Sequence, residues 1–126
     1  MDRAPSKSFK DLIVWQKAHQ LTLFTYQVTE TFPKTEQFGL ISQMRRAATS
    51  VAANIAEGYR KRSAADKARF LNISEGSLDE LKYFFILAKD LSYISEENQT
   101  ELEHNCDEVS RLLHAYAKAL RTNSNS

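Results

Sequence analysis

Only three glycines, two prolines and one cysteine occur among the 126 residues. Gly and Pro together make up ~12% of an average globular chain, about three times their share here. Their scarcity excludes all-β folds, which need a turn every ~8–12 residues and use both residues to make it. Collagen-like and low-complexity linker readings fail for the same reason. The single cysteine, Cys106, rules out an intramolecular disulfide and any zinc site built from the thiolates of one chain. No run approaches the ~18 apolar residues of a membrane span, and no charged-then-apolar leader opens the chain, so a cytoplasmic protein without a membrane partner is expected. An excess of one charge is missing too: 17 Lys and Arg stand against 16 Asp and Glu, a net charge of +1.

Helical periodicity fills the space these absences leave. Val14, Ala18, Leu21, Thr25, Val28 and Phe32 recur at steps of four and three, which predicts a helix from about Asp11 to Phe32. Ser8 and Asp11 form a plausible capping pair for it, and Pro33 closes it. Trp15, offset from the stripe, is read as burial on a second face rather than as a ligand-stacking residue. Thr35 can cap a second helix, from about Glu36 to Arg60, with the stripe Ile41, Met44, Ala48, Val51 and Ile55. Ala47, Ala48, Ala52, Ala53 and Ala56 make that helix thin, so neighbouring backbones can come close. Ser63, with Asp66 at the capping-box position, starts a third helix carrying two stripes. One is Leu71, Ser74, Leu78, Leu81, Phe85 and Ala88; the other is Phe70, Ile73, Ser77, Phe84, Leu87 and Leu91. A helix apolar on two faces is expected to be buried on two, the second against another subunit. Ser95 opens a fourth helix on Leu102, Cys106, Val109, Leu113, Tyr116 and Leu120.

Short connections between 3-4 seams predict an all-α fold, an antiparallel up-down-up-down four-helix bundle over residues 9–121. Residues 1–8 and 122–126 are polar and are expected to be flexible tails. Gly76, mid-helix beside Ser74 and Ser77, costs about 1 kcal/mol against Ala. It is expected to admit close packing, by the alanine-rich face of the second helix or by a neighbouring subunit.

Catalytic chemistry finds no foothold. Glu101 and His104 have the Glu-x-x-His spacing of di-iron bundles, but no second such pair exists, so neither a metal nor another cofactor is expected. Cys106 lies on a core seam, where a free thiol behaves as a small apolar group. Glycine-rich phosphate loops, nucleophile elbows and His-Glu metalloprotease motifs are all missing.

Charge placement carries more information. Residues 41–70 hold Arg45, Arg46, Arg60, Lys61, Arg62, Lys67 and Arg69 against Glu57 and Asp66, seven minus two, or +5. Residues 95–108 hold Glu96, Glu97, Glu101, Glu103, Asp107 and Glu108 without a Lys or Arg, or −6. Three readings stay open for the basic segment: contact with nucleic-acid phosphates, cations complementing a helix C-terminus, or basic and acidic faces meeting between identical subunits. Along the second helix Arg46, Ser50, Asn54 and Glu57 form a polar line beside the alanine seam. A buried polar network that fixes helix register, reaching Gly76 and Ser77, is favoured over a ligand site.

These residues carry a resemblance. Phe9-Lys10-Asp11-Leu12 and Val14-Trp15-Gln16-Lys17-Ala18 form its first block. Phe32-Pro33, Phe38-Gly39-Leu40, Gln43-Met44-Arg45-Arg46-Ala47 and Asn54-Ile55-Ala56-Glu57-Gly58 form the second, and Gly76-Ser77 with Glu80-Leu81 the third. Over roughly residues 9 to 120 the chain resembles the bacterial "four helix bundle protein" family, also called the 23S rRNA intervening-sequence protein family. That family is similar to the accessory variability protein of diversity-generating retroelements. The resemblance implies a bacterial, non-enzymatic protein forming a barrel-like homopentamer with a basic surface. It also implies RNA or DNA as a partner, together with a protein such as a reverse transcriptase. Arg45, Arg46, Arg60, Lys61 and Arg62 are the positions it points to for nucleic-acid contact.

Overall fold

The computed structural model describes residues 7–125. The expected tail segment 1–6 lies outside the described residues. The chain forms four long helices, α1 (Ile13–Thr29), α2 (Leu40–Arg60), α3 (Ala64–Asp90) and α4 (Glu96–Asn125), with short 3-10 turns at Phe9–Asp11 and Lys34–Glu36. Each helix packs on its neighbours in the chain, and α1 also packs on α4, so the four close into a ring around one core.

The apolar stripes sit where their spacing places them. Val14, Ala18, Leu21 and Val28 of α1, Met44, Ala48, Val51 and Ile55 of α2, Leu71, Leu78, Leu81 and Phe85 of α3, and Leu102, Cys106, Val109 and Leu113 of α4 are all buried. Thr25 and Thr29 join the α1 stripe because each hydroxyl donates to a carbonyl of its own helix, Leu21 and Thr25 respectively. A satisfied hydroxyl loses little on burial. The second stripe of α3 is only half covered within the chain: Ile73 is 43% and Leu91 44% exposed.

Helix ends depart from expectation in instructive ways. Ser8 and Asp11 do form a capping box, but on the 3-10 turn Phe9–Asp11; α1 starts at Ile13, with Leu12 as an N-cap lacking a side-chain bond. Thr35 does not cap α2. It lies inside the 3-10 turn Lys34–Glu36, and α2 starts four residues later than the expected Glu36, at Leu40, where the Glu36 carboxylate accepts the Leu40 N–H at 3.3 Å. Ser63 and Ser95 cap α3 and α4 as expected, accepting from the N–H groups of Asp66 and Asn98. The scarcity of glycine shows at the end of α3. Ser92 takes the left-handed conformation (φ 64°), and Tyr93 N–H donates to Ala88 O at 2.8 Å. This is the Schellman closure that usually recruits glycine. α4 continues to Asn125, beyond the expected boundary at residue 121.

Gly76 does not serve the packing within the chain that its position suggested. It is exposed, and a Cβ added there would meet nothing within 4 Å. Ser74 makes the close approach instead, donating to Val51 O at 2.9 Å. The tightly packed glycine is Gly58, where an added Cβ would stand 3.1 Å from Phe70 Cβ and 3.6 Å from Lys67 O. The two glycines are therefore expected to respond oppositely to alanine. Gly76→Ala gains helix propensity without contact and stabilises by about 1 kcal/mol, a rise of roughly 4 °C in Tm. Gly58→Ala lowers Tm, because Phe70 Cβ is fixed to the α3 backbone and cannot yield without moving the helix. Thermal denaturation of both variants checks the pair.

Candidate nucleic-acid interface

The cations of the basic segment separate into two places. Arg45 and Arg46 lie near the start of α2 and Arg60, Lys61 and Arg62 at its end, about 21 Å away at 1.5 Å per residue. The segment is one stretch of sequence but not one patch.

Arg45 is held inside the chain. Its Nε donates to Thr29 Oγ1 at 2.9 Å, and its Nη2 to Tyr26 O at 3.3 Å and Glu30 Oε2 at 3.2 Å. The guanidinium also lies 4.5 Å from the Tyr26 ring centroid. A planar fork that satisfies a hydroxyl, a carbonyl, a carboxylate and an aromatic face at once ties α1 to α2. Arg45 thus has a role within the fold that the sequence did not indicate. Arg46, beside it, is exposed, and lines an open groove of about 480 Å³ with Tyr26, Phe38 and Thr49. The polar line on α2 is engaged only in its middle. Asn54 Nδ2 donates to Ser50 O at 2.8 Å and Ser50 Oγ at 3.0 Å, and Ser50 Oγ lies 2.8 Å from Ser77 Oγ on α3. Arg46 and Glu57 face solvent outside this group.

Lys67 is held as well. Its Nζ donates to Tyr59 O at 2.8 Å and Gly58 O at 3.4 Å, supplying partners for carbonyls that the end of α2 leaves open. Burial lowers its pKa. Lys61 and Arg69 both lie 4.9 Å from the Phe70 ring centroid, and Arg69 pairs with Asp66 at 3.8 Å. Arg60 and Arg62 are exposed.

The ring of helices adds cations to this end that the linear segment does not contain. Phe9, with Lys7 and Ser8, lines a groove of about 510 Å³ against Ala56, Glu57, Tyr59 and Arg60. The segment before α1, the end of α2 and the start of α3 meet around Tyr59. Burial, and after it Tyr59, raises the pKa of Tyr116 on α4. Over residues 7–11, 57–69 and 116–121 this end carries Lys7, Lys10, Arg60, Lys61, Arg62, Lys67, Arg69, Lys118 and Arg121 against Asp11, Glu57 and Asp66, nine minus three, or +6. Sequence reading missed Lys7, Lys10, Lys118 and Arg121, of which Lys7 lines the groove with Tyr59 and Arg60. Trp15 is half-buried, edge-on to Phe9 (5.0 Å, 71°) and stacked on His19 (5.1 Å, 6°).

The acidic segment gathers elsewhere and is partly used. Asp107 pairs with Lys82 at 2.9 Å and Glu108 with Lys17 at 3.6 Å, while Glu96, Glu97 and Glu101 stay exposed. No group of three or more His, Cys, Asp or Glu among the described residues could hold a metal ion. Burial pushes the Cys106 thiol up to about 12, far from a reactive thiolate. None of the described helices is long and apolar enough to cross a membrane.

Four helices closed around a single core, with cations converging at one end, define an all-α helix-bundle protein. The chain belongs to the 23S rRNA-intervening sequence protein family, whose model matches residues 10–115. It is also similar to a crystal structure of a protein with unknown function from the S23 ribosomal protein family of Bacteroides thetaiotaomicron. The two share 26% identity at a TM-score of 0.75, over 84% of this chain and 99% of the other. Comparison with curated proteins finds no match.

Adjacent arginines with such different surroundings should behave differently. Arg45→Ala is expected to destabilise the fold by about 1–2 kcal/mol, through loss of charge-assisted hydrogen bonds. Arg46→Ala should stay within about 0.5 kcal/mol of the parent. Denaturant titration of both variants is the measurement.

Proposed function

We propose that this protein is a non-catalytic, oligomeric four-helix bundle that binds RNA or DNA as an adaptor, through the cation-rich end around Tyr59. The reading is carried by nine Lys and Arg, drawn from the segment before α1, from the end of α2 and the start of α3 with their connection, and from the last part of α4. A duplex or single strand presents phosphates in a row, and a cluster of exposed, flexible cations answers them by releasing condensed counterions. The basic surface on α2 and α3 thus extends to the start of α1 and the end of α4. Arg60, Lys61 and Arg62 remain its densest point, while Arg45 and Lys67 act mainly within the fold. The family's name ties it to 23S ribosomal RNA genes, which makes a structured or processed RNA the first ligand to test.

Binding should weaken steeply with salt. If about five phosphates are contacted, affinity falls on the order of 10²-fold between 50 and 200 mM salt. Fluorescence anisotropy with labelled RNA and DNA checks this. The triple reversal Arg60→Glu, Lys61→Glu, Arg62→Glu should abolish binding; equal binding by parent and variant sinks the proposal.

The oligomer forms part of the same reading. Cross-helix partners run in opposite senses: Thr22 with Ala48 and Thr29 with Arg45, Ser50 with Ser77 and Val51 with Ser74, and Glu75 with His114 and Lys82 with Asp107. They support an antiparallel up-down-up-down topology. That topology turns the second stripe of α3 outward, where Ile73 and Leu91 are accompanied by Tyr83 (56% exposed). Stripes of this kind mark interaction surfaces. A barrel-like pentamer and a reverse-transcriptase partner follow from the family resemblance. Self-assembly without nucleic acid is the second reading, and the same stripe favours it. Light scattering in low and high salt is expected to show an oligomer in both, since apolar contact survives screening. A monomer under both conditions removes the assembly from either reading.

A further inference from the structure

The groove at the cation-rich end has a composition that phosphate binding alone does not call for. It is lined by Phe9, Ala56 and Tyr59 together with Lys7, Arg60 and Glu57. At about 510 Å³ it falls within the usual range of small-molecule sites. A patch that reads only the backbone of a duplex needs cations on a convex or flat surface and gains nothing from an aromatic recess. An aromatic recess with cations at its mouth matches a different ligand: a flat, apolar ring that carries a phosphate on its other end.

We infer that this groove takes one unpaired nucleobase, so that the nucleic acid bound at this end is single-stranded. The inference rests on the nucleic-acid reading above and narrows it. Bases within a duplex have both faces covered by their neighbours and cannot enter a recess. An unstacked base exposes a π face that any aromatic wall can receive, whatever its sequence. Lys7 and Arg60 then meet the flanking phosphates, and the Glu57 carboxylate offers an acceptor to an exocyclic amine.

The wall is built to keep its shape. Phe9 sits in a turn held by the Ser8–Asp11 capping box, with Lys7 N–H also donating to Asp11 Oδ2 at 2.8 Å. Behind the ring, the edge-on contact with Trp15 and the stack of Trp15 on His19 fix its orientation. A preformed aromatic wall loses little entropy on binding, which is what a stacking site requires. The aromatic series Phe9–Trp15–His19 thus has a use beyond covering the first turn of α1.

The experiment compares a labelled 12-nucleotide single strand with a hairpin duplex of the same composition, by anisotropy at fixed salt. The parent should bind the single strand about tenfold more tightly, the effect of one stacked base. Phe9 lies outside the buried core, so its variants are expected to fold, and circular dichroism verifies that they do. Phe9→Leu keeps an apolar contact on Trp15 but has no ring face, and should erase the single-strand advantage. Phe9→Tyr should retain the advantage. Equal affinity for the two ligands, or an advantage that survives in Phe9→Leu, overturns the base site while the broader reading stands. If neither ligand binds, nucleic-acid recognition at this end falls altogether, and the base site with it.

Discussion

Two buried hydroxyls set the position of α2, and much of the molecule depends on them. Thr22 of α1 shares its one hydroxyl proton between Ala18 O of its own helix at 2.9 Å and Ala48 O at 3.1 Å, and Ser74 of α3 donates to Val51 O at 2.9 Å. Both α2 acceptors are carbonyls already used within the helix, whose second lone pair is reachable only where no large side chain intervenes. The alanines at 47, 48 and 52 provide that access; Gly58 does the same one turn from the end, where Phe70 passes at near-contact distance. α2 is therefore clasped from both sides at backbone range. Its own larger polar side chains are left facing outward, where Arg46, Glu57 and Arg60 are found.

This constraint explains which parts of the fold were legible in the sequence. Periodic burial was, since Met44, Ala48, Val51 and Ile55 can share a face only in a helix, and they do. Caps were less so. Thr35 has the right chemistry for an N-cap, but the chain from Pro33 to Gly39 makes a 3-10 turn first, and the Glu36 carboxylate takes up the Leu40 N–H instead. A capping signal identifies a residue able to accept a backbone donor; it does not say which of two adjacent turns will offer one. Gly76 lacks the packing within the chain that its position suggested, for a related reason. Helical spacing places it near Ser74 and Ser77, yet Ser74 points at α2 and Gly76 away from it, a difference of two residues and about 160° around the axis.

The candidate site was legible only in part. Arg60, Lys61 and Arg62 announce themselves as a run, but the run sees one corner, whereas the proposed surface also takes in the segment before α1 and the last part of α4. Lys7 and Lys10 are about 50 residues from Arg60 in sequence, and Lys118 and Arg121 about 60. Arg45 illustrates the opposite case. In sequence it is one of a pair of arginines; in the fold its helical position turns it towards Thr29 and Tyr26 of α1, while Arg46, 100° further round, faces solvent. No composition count distinguishes them. A count that treats each cation as available overstates the patch by the ones the fold has already engaged, and understates it by those it brings in.

Near-neutral net charge, the most discouraging number for a nucleic-acid ligand, loses its force once the charges have positions. α4 alone has 30 residues, about 45 Å at 1.5 Å per residue. Of its exposed acids, Glu96, Glu97 and Glu101 lie in the first two turns and Asp107 in the fourth; of its cations, Arg111 lies midway and Lys118 and Arg121 near the other end. The Debye length at physiological ionic strength is ~8 Å, so acidic and basic ends several Debye lengths apart do not cancel each other's field. On the proposed reading, a polyanion approaching the Tyr59 end would meet the local +6 and not the global +1. The other end offers it no such excess, because the acids at the start of α4 share that end with Arg45 and Arg46 at the start of α2.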